Sequence, residues 1–138
     1  MPKLIFFDLD GTLAVSKQPL SSEMAGLVAQ LLEHTKVAVV SGGALPQFLT
    51  QVVAQLPSGA NLSNLYLEPT SGAALYEWKS DDLSTKLEAG WRTVYEEHIS
   101  EADVPAIEAA ARQGAEATGL INFSASSWGE RIEYRGNQ

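Results

Sequence analysis

An α/β fold built on a parallel sheet is predicted by three observations. Leu4–Phe7 is an unbroken apolar run, rich in aromatic and branched residues, that stops abruptly at Asp8. Val37–Val40 is a second short apolar run, ending in Ser41-Gly42-Gly43. Between them, Met24, Leu27, Val28, Leu31 and Leu32 repeat at helical spacing. Apolar runs separated by an amphipathic helix are the pattern of a βαβ unit, and continuous rather than alternating runs predict strands buried on both faces, in the middle of a parallel sheet.

The first strand carries the chemistry. Asp8 and Asp10 follow it, with Gly11 and Thr12 next. In open α/β sheets ligands bind beyond the carboxyl ends of the strands. Residues two apart on an extended chain point the same way, so the two aspartates can reach one point. Two close carboxylates repel unless a cation sits with them or one holds a proton. Magnesium suits oxygen ligands and phosphate, and a carboxylate can attack phosphorus to give an aspartyl-phosphate. Gly11 permits a sharp turn that bares backbone N–H groups to an anion.

The next elements extend this frame. Lys17–Ser22 is a turn-rich linker into the first helix, with Ser21 or Ser22 as N-cap and Glu23 suited to the positive helix end. After the second strand, Pro46 marks the start of a helix whose buried face is Phe48, Leu49, Val52, Val53 and Leu56. The strand, the Ser41-Gly42-Gly43 loop and this helix start form a candidate phosphate cradle. Asn64–Leu67 reads as a strand, Glu68–Gly72 as a tight turn and Ala73–Trp78 as a returning strand. Ser71 and Gly72 either line the mouth of the site or simply turn the chain.

Residues 79–90 are polar and aperiodic, an exposed connection. Trp91–Tyr95 reads as another returning strand or as a helix start. Ser100 and Asp103 resemble a capping box, and the alanine-rich run Ala102–Ala117 is predicted helical, with Val104, Ile107 and Ala111 on its apolar face and Gly119 as its stop. Glu130–Arg135 alternates as a half-buried antiparallel strand.

Composition narrows the function. The 138 residues suffice for one ordinary core, and 45% are hydrophobic, which is globular rather than disordered. A net charge of −8 disfavours nucleic acid as a partner. No apolar run approaches ~18 residues, so no membrane span is expected. The absence of cysteine excludes disulfides and fits a cytoplasmic location. His34 and His98 have no companion at metal-ligand spacing, and Trp78, Trp91 and Trp128 read as core or interface residues.

The string Phe7–Leu13 resembles the first motif of the haloacid-dehalogenase (HAD) superfamily of phosphohydrolases and phosphomutases. Ser41 matches its second motif, a serine or threonine ending the next core strand. The order of elements is similar to members with a C2-type α/β cap, of the phosphomannomutase-like and sugar-phosphatase-like groups. The resemblance implies a Rossmann-like core over residues 1–80, followed over 81–138 by a linker and the beginning of an α/β cap.

It also implies a mechanism. Asp8 would be the nucleophile and Asp10 the general acid and base. Asp8 and Asp10, the latter through its backbone carbonyl, would hold Mg²⁺. Ser41 and Gly42, with Gly11 and Thr12 of the first loop, would bind the phosphoryl group. Arg135 matches a cap arginine that grips a second phosphate in the phosphomutases. The implied activity is Mg²⁺-dependent phosphoryl transfer from a phosphorylated small molecule, a sugar phosphate, through an aspartyl-phosphate; the alternative is a HAD-like protein that binds Mg²⁺ and phosphate without turnover.

Two family features have no match: a lysine after the cap and a later acidic motif. Asp81-Asp82 is a poor substitute, because it follows no buried strand and precedes the cap, and Lys79 and Lys86 are similarly poor stand-ins for the lysine. The chain is therefore expected to stop inside the cap, as the N-terminal portion of a longer enzyme or a truncated relative, and to self-associate through exposed sheet edges.

Overall fold

A computed structural model of the chain describes residues 3–79, 90–125, 132–134 and 136. It forms two compact units, Met1–Glu97 and His98–Gln138. The division falls later than residue 80, because the strand after the connection pairs back onto the first unit.

The first unit holds one five-stranded sheet in the order β1-β2-β3-β4-β5. Its strands are β1 (Leu4–Asp8), β2 (Lys36–Val40), β3 (Leu65–Glu68), β4 (Ala74–Trp78) and β5 (Trp91–Glu96). The first three are mutually parallel, and β4 and β5 return antiparallel. The connection between β1 and β2 carries α1 (Ser22–Leu32), and the one between β2 and β3 carries α2 (Leu45–Gln51). Such crossovers are long enough to join parallel strands, whereas the five residues between β3 and β4 permit only a reversal.

Local signals set the helix starts. Ser21 caps α1, its hydroxyl accepting from the Met24 N–H at 3.2 Å. Pro46 stands in the first turn of α2, where its missing N–H is harmless. The helix breaks after seven residues into a 3₁₀ turn at Val53–Gln55, yet the apolar stripe continues through both.

Pleating sorts the sheet into two faces. Val37 and Val39 of β2 and Leu65 and Leu67 of β3 lie on one face, fully buried. They join Val28 and Leu32 of α1, Phe48 of α2 and Val52 at the C-cap of α2 in one core. The opposite face carries Phe6, Lys36, Tyr66 and Glu77. There the Lys36 ammonium stands 5.3 Å from the Tyr66 ring centroid, and Glu77 pairs with Arg92 and with Lys79.

β1 departs from expectation. It is not buried on both faces in the middle of the sheet but forms its edge, pairing among the described residues with β2 alone. Leu4 is 39% exposed and Phe6 57%. A continuous apolar run implies neighbours on both faces, and the described residues supply them only on the Ile5 and Phe7 side.

In the second unit, α3 (Val104–Thr118) ends at Gly119 in the left-handed conformation, φ 66°, as the sequence predicts. The capping box does not form. Asp103 makes no side-chain cap bond, and the Ser100 hydroxyl accepts from the Ala102 N–H instead. α3 has no buried residue, so its modest apolar face, Ile107 included, remains open. Of the predicted strand Glu130–Arg135, residues 130, 131 and 135 lie outside the described residues; Ile132–Tyr134 are assigned to no strand, and the Tyr134 hydroxyl donates to the Gly136 carbonyl at 3.2 Å. Among the described residues no helix is long and apolar enough to cross a membrane.

Burial separates the two phenylalanines sharply. Phe48→Ala removes a fully buried ring from the core and is expected to cost about 3–5 kcal/mol in urea unfolding. Phe6→Ala, on the open edge, is expected to cost under about 1 kcal/mol. Equal losses would show that β1 is covered.

Candidate active site

Register brings the functional residues to one edge. Asp8 pairs with Val40, and Val40 with Glu68, so the carboxyl ends of the three parallel strands finish in one row. The loops that leave this row carry Asp10, Ser41 and Thr70.

The first loop is closed by one acceptor. The Leu9 carbonyl takes the N–H groups of Thr12, Leu13 and Ala14 at 3.4, 3.1 and 3.0 Å, and the Leu9 N–H donates to the Val40 carbonyl at 3.2 Å. Leu9 is fully buried and anchors the loop in the core. Gly11 turns with φ 83°, which a side chain would resist. Its N–H is not bare, as anion binding would need, but donates to the Ala14 carbonyl at 2.7 Å. The Thr12 hydroxyl donates to Asp8 Oδ2 at 3.3 Å.

Asp10 is where three segments meet. Its Oδ1 accepts from the Lys17 N–H at 2.6 Å. Its Oδ2 accepts from the Ser41 hydroxyl at 3.3 Å and from the Gln47 amide at 3.4 Å. Gln47 also donates to Gln51 Oε1 at 2.9 Å. A Cβ on Gly43 would stand 2.0 Å from Gln47 Oε1, so a residue without a side chain lets this amide lie against the loop.

Gln47 and Gln51 were not singled out from the sequence. A signal was present: two glutamines four apart, and so on one face of the helix. Ser41 is buried and held on both sides, its N–H by the Glu68 carbonyl at 3.3 Å and its carbonyl by the Ser71 N–H at 2.9 Å.

The structure thus brings Asp8, Asp10, Gly11, Thr12, Ser41 and Gly42 to one end of the sheet. Arg135, Asp81-Asp82, Lys86 and Trp128 lie outside the described residues. Trp78 and Trp91 stack edge to face with ring centroids 5.4 Å apart, packing β4 against β5 away from the aspartates. His34 and His98 are exposed. A cavity of about 620 Å³ opens beside the first loop, lined by Gly11, Thr12, Val15, Pro19 and Met24 among others; Ser41 is not part of its wall.

Asp8 at the end of β1 and Asp10 in the loop after it offer oxygen donors of the kind Mg²⁺ takes, one or two carboxylates with several waters. Among the described residues no group of three or more His, Asp or Glu gathers around an ion.

Glu68 closes the row, and partial burial pushes its carboxyl above the ordinary value.

No family model matches the chain. Among solved structures it is similar to IMP-nucleotidase of Plasmodium falciparum. An IMP-bound mutant of that protein matches with a TM-score of 0.62 at 17% identity over 83% of this chain and 33% of its own. The ATP-bound form matches with a TM-score of 0.59 at 18% identity over 85% and 31%. The N-terminally truncated, IMP-bound form gives 0.58 at 17% over 85% and 36%. The chain spans about a third of the length of these structures, and at such identity the likeness establishes the shared α/β fold.

The raised Glu68 carboxyl makes a pH prediction. The folded chain holds this proton more tightly than the unfolded one, so the contribution to stability is greatest at low pH and declines as pH rises from the ordinary 4.5 through the raised folded value. Urea midpoints measured between about pH 4 and about pH 7 are expected to show that decline in the wild type and less of it in Glu68→Gln.

Proposed function

We propose that this chain carries the phosphoryl-transfer end of a HAD-type phosphatase acting on a phosphorylated small molecule. The carrying observation is the junction at Asp10: the carboxylate two residues after Asp8 accepts a bond from the hydroxyl of Ser41, 31 residues away, so the residues that match the first and second HAD motifs stand side by side. The fold shared with a nucleotidase supports the same reading.

In this reading Asp8 attacks the phosphorus of a phosphate monoester while the bond to the ester oxygen breaks. Asp10 gives that oxygen its proton as it leaves. Asp10 then takes a proton from the water that hydrolyses the aspartyl-phosphate, which returns Asp8 to its carboxylate. Ser41 and Gly42, with the Thr12 hydroxyl, bind the phosphoryl oxygens, and Gly11 shapes the turn that carries Thr12. Asp8 and the Asp10 carbonyl would hold Mg²⁺, and the ion would supply positive charge against the charge that develops on the phosphoryl group. The donors around Asp10 fix its direction, so little reorganisation accompanies the proton transfers.

The substrate proposed from the sequence is a sugar phosphate, by the likeness of the chain to the phosphomannomutase-like group with a C2 cap. The IMP bound in the similar structures adds a nucleoside monophosphate to the compounds to be tried. A second reading, binding without turnover, is favoured by the lack of a third acidic group at the aspartate pair among the described residues.

A phosphatase assay with p-nitrophenyl phosphate, a hexose phosphate and IMP, with and without Mg²⁺, decides between the two readings. Turnover that needs Mg²⁺ and vanishes in Asp8→Asn is the expected result. Beryllofluoride binding without turnover would select the binding protein, and neither activity nor binding would overturn both.

A further inference from the structure

Three non-glycine residues among those described have positive φ: Lys17 at 58°, Thr70 at 51° and Ser71 at 58°. L-residues avoid this region, and a β-branched threonine there is an outlier. All three hand their N–H to the candidate site. Lys17 donates to Asp10, Thr70 to the Gly43 carbonyl at 2.9 Å, and Ser71 to the Ser41 carbonyl at 2.9 Å. Strained backbone persists only where the surroundings over-determine it, and such places cluster at functional sites.

The turn between β3 and β4 is the stronger case. Gly72 continues the run with φ 86°, so three consecutive residues are left-handed. The Tyr95 hydroxyl holds the Gly72 carbonyl at 2.8 Å. Thr70 is 5% exposed, and its hydroxyl has no hydrogen-bond partner among the described residues. A plain connection would place glycine or asparagine at such positions at little cost. The conformation instead sets the exposed Ser71 side chain over the phosphate loop, with its Oγ 3.7 Å from the point where a Gly42 Cβ would stand.

We propose that the Ser71 hydroxyl is a further donor to the phosphoryl oxygens bound at Ser41–Gly43, and that the left-handed turn exists to present it. This rests on the phosphoryl-transfer reading above. Ser71 is thus a binding residue contributed by the third parallel strand's loop, beside those of the first two. The unpartnered Thr70 hydroxyl marks the same turn as built around something other than its own hydrogen bonds.

Three substitutions separate the hydroxyl from the backbone strain. Ser71→Ala keeps the strain and loses the donor. Ser71→Gly loses both. Ser71→Asn tolerates left-handed φ and keeps a donor. Calorimetric titration of the full chain with inorganic phosphate in excess Mg²⁺, alongside urea unfolding, reads both properties. Expected are phosphate affinities about tenfold weaker in the alanine and glycine variants, as for one lost bond to a charged oxygen, with the asparagine variant near wild type and the glycine variant at least as stable as wild type. Phosphate bound as tightly by the alanine and glycine variants as by wild type overturns the inference and leaves the phosphoryl-transfer reading standing. An asparagine variant as weak as alanine, or a glycine variant less stable than wild type, overturns it also. A wild type that binds no phosphate removes the reading and the inference together.

Discussion

The candidate site depends on a carboxylate that draws its donors from three directions. Asp10 is bonded to a main-chain N–H of its own loop, to a hydroxyl at the end of β2 and to a side-chain amide of α2. No single segment could orient it so. The bond to Lys17 fixes one oxygen along the loop, and the Ser41 and Gln47 bonds turn the other toward the second loop. The neighbouring features follow from this junction. Gly43 must lack a side chain for the Gln47 amide to lie where it does, and Gln51 must be buried to receive that amide's second proton. The Leu9 carbonyl must gather three N–H groups to bend the loop back. A hydrogen bond to a charged group contributes more than a neutral one, so much of the order in this end of the sheet is concentrated on two oxygen atoms.

Much of this was legible in the sequence. Apolar runs ending in polar residues located β1 and β2. Ser21, Pro46 and Gly119 marked helix ends for reasons intrinsic to the residue: a hydroxyl for an N–H, a ring with fixed φ, a missing Cβ. The nearness of Asp10 and Ser41 was legible because positions at the ends of neighbouring strands become close once the strands are parallel. The parts that were not legible depend on contacts distant in sequence. The left-handed turn at Thr70–Gly72 is held by carbonyls of Ser41 and Gly43, nearly thirty residues earlier. The role of Gln47 depends on a carboxylate 37 positions away. The exposure of Phe6 could not be read from an apolar strand, because hydrophobicity reports that a side chain is suited to burial and not that a neighbour stands beside it.

The second unit shows the opposite balance. The helix stop at Gly119 was correct, yet the capping box failed because Ser100 found a nearer N–H at Ala102. A box needs its two ends three residues apart with the chain already turned, and local competition for the hydroxyl decides it. The cation–π contact between Arg112 and Phe123, with the guanidinium carbon 4.5 Å from the ring centroid, joins α3 to the segment that follows it and had no motif to announce it.

The position of β1 at the rim of the sheet has a mechanical corollary. A strand in the interior of a sheet is aligned by two ladders, each correcting the other. Here, among the described residues, one five-residue ladder, to β2, sets where Asp8 ends. Because side chains alternate, a slip by one place would rotate Asp8 toward the helices and swing Phe7 out to water. The buried Leu9 side chain, plugged into the core directly after the ladder, therefore serves as the detent that keeps the strand ending in Asp8 from sliding.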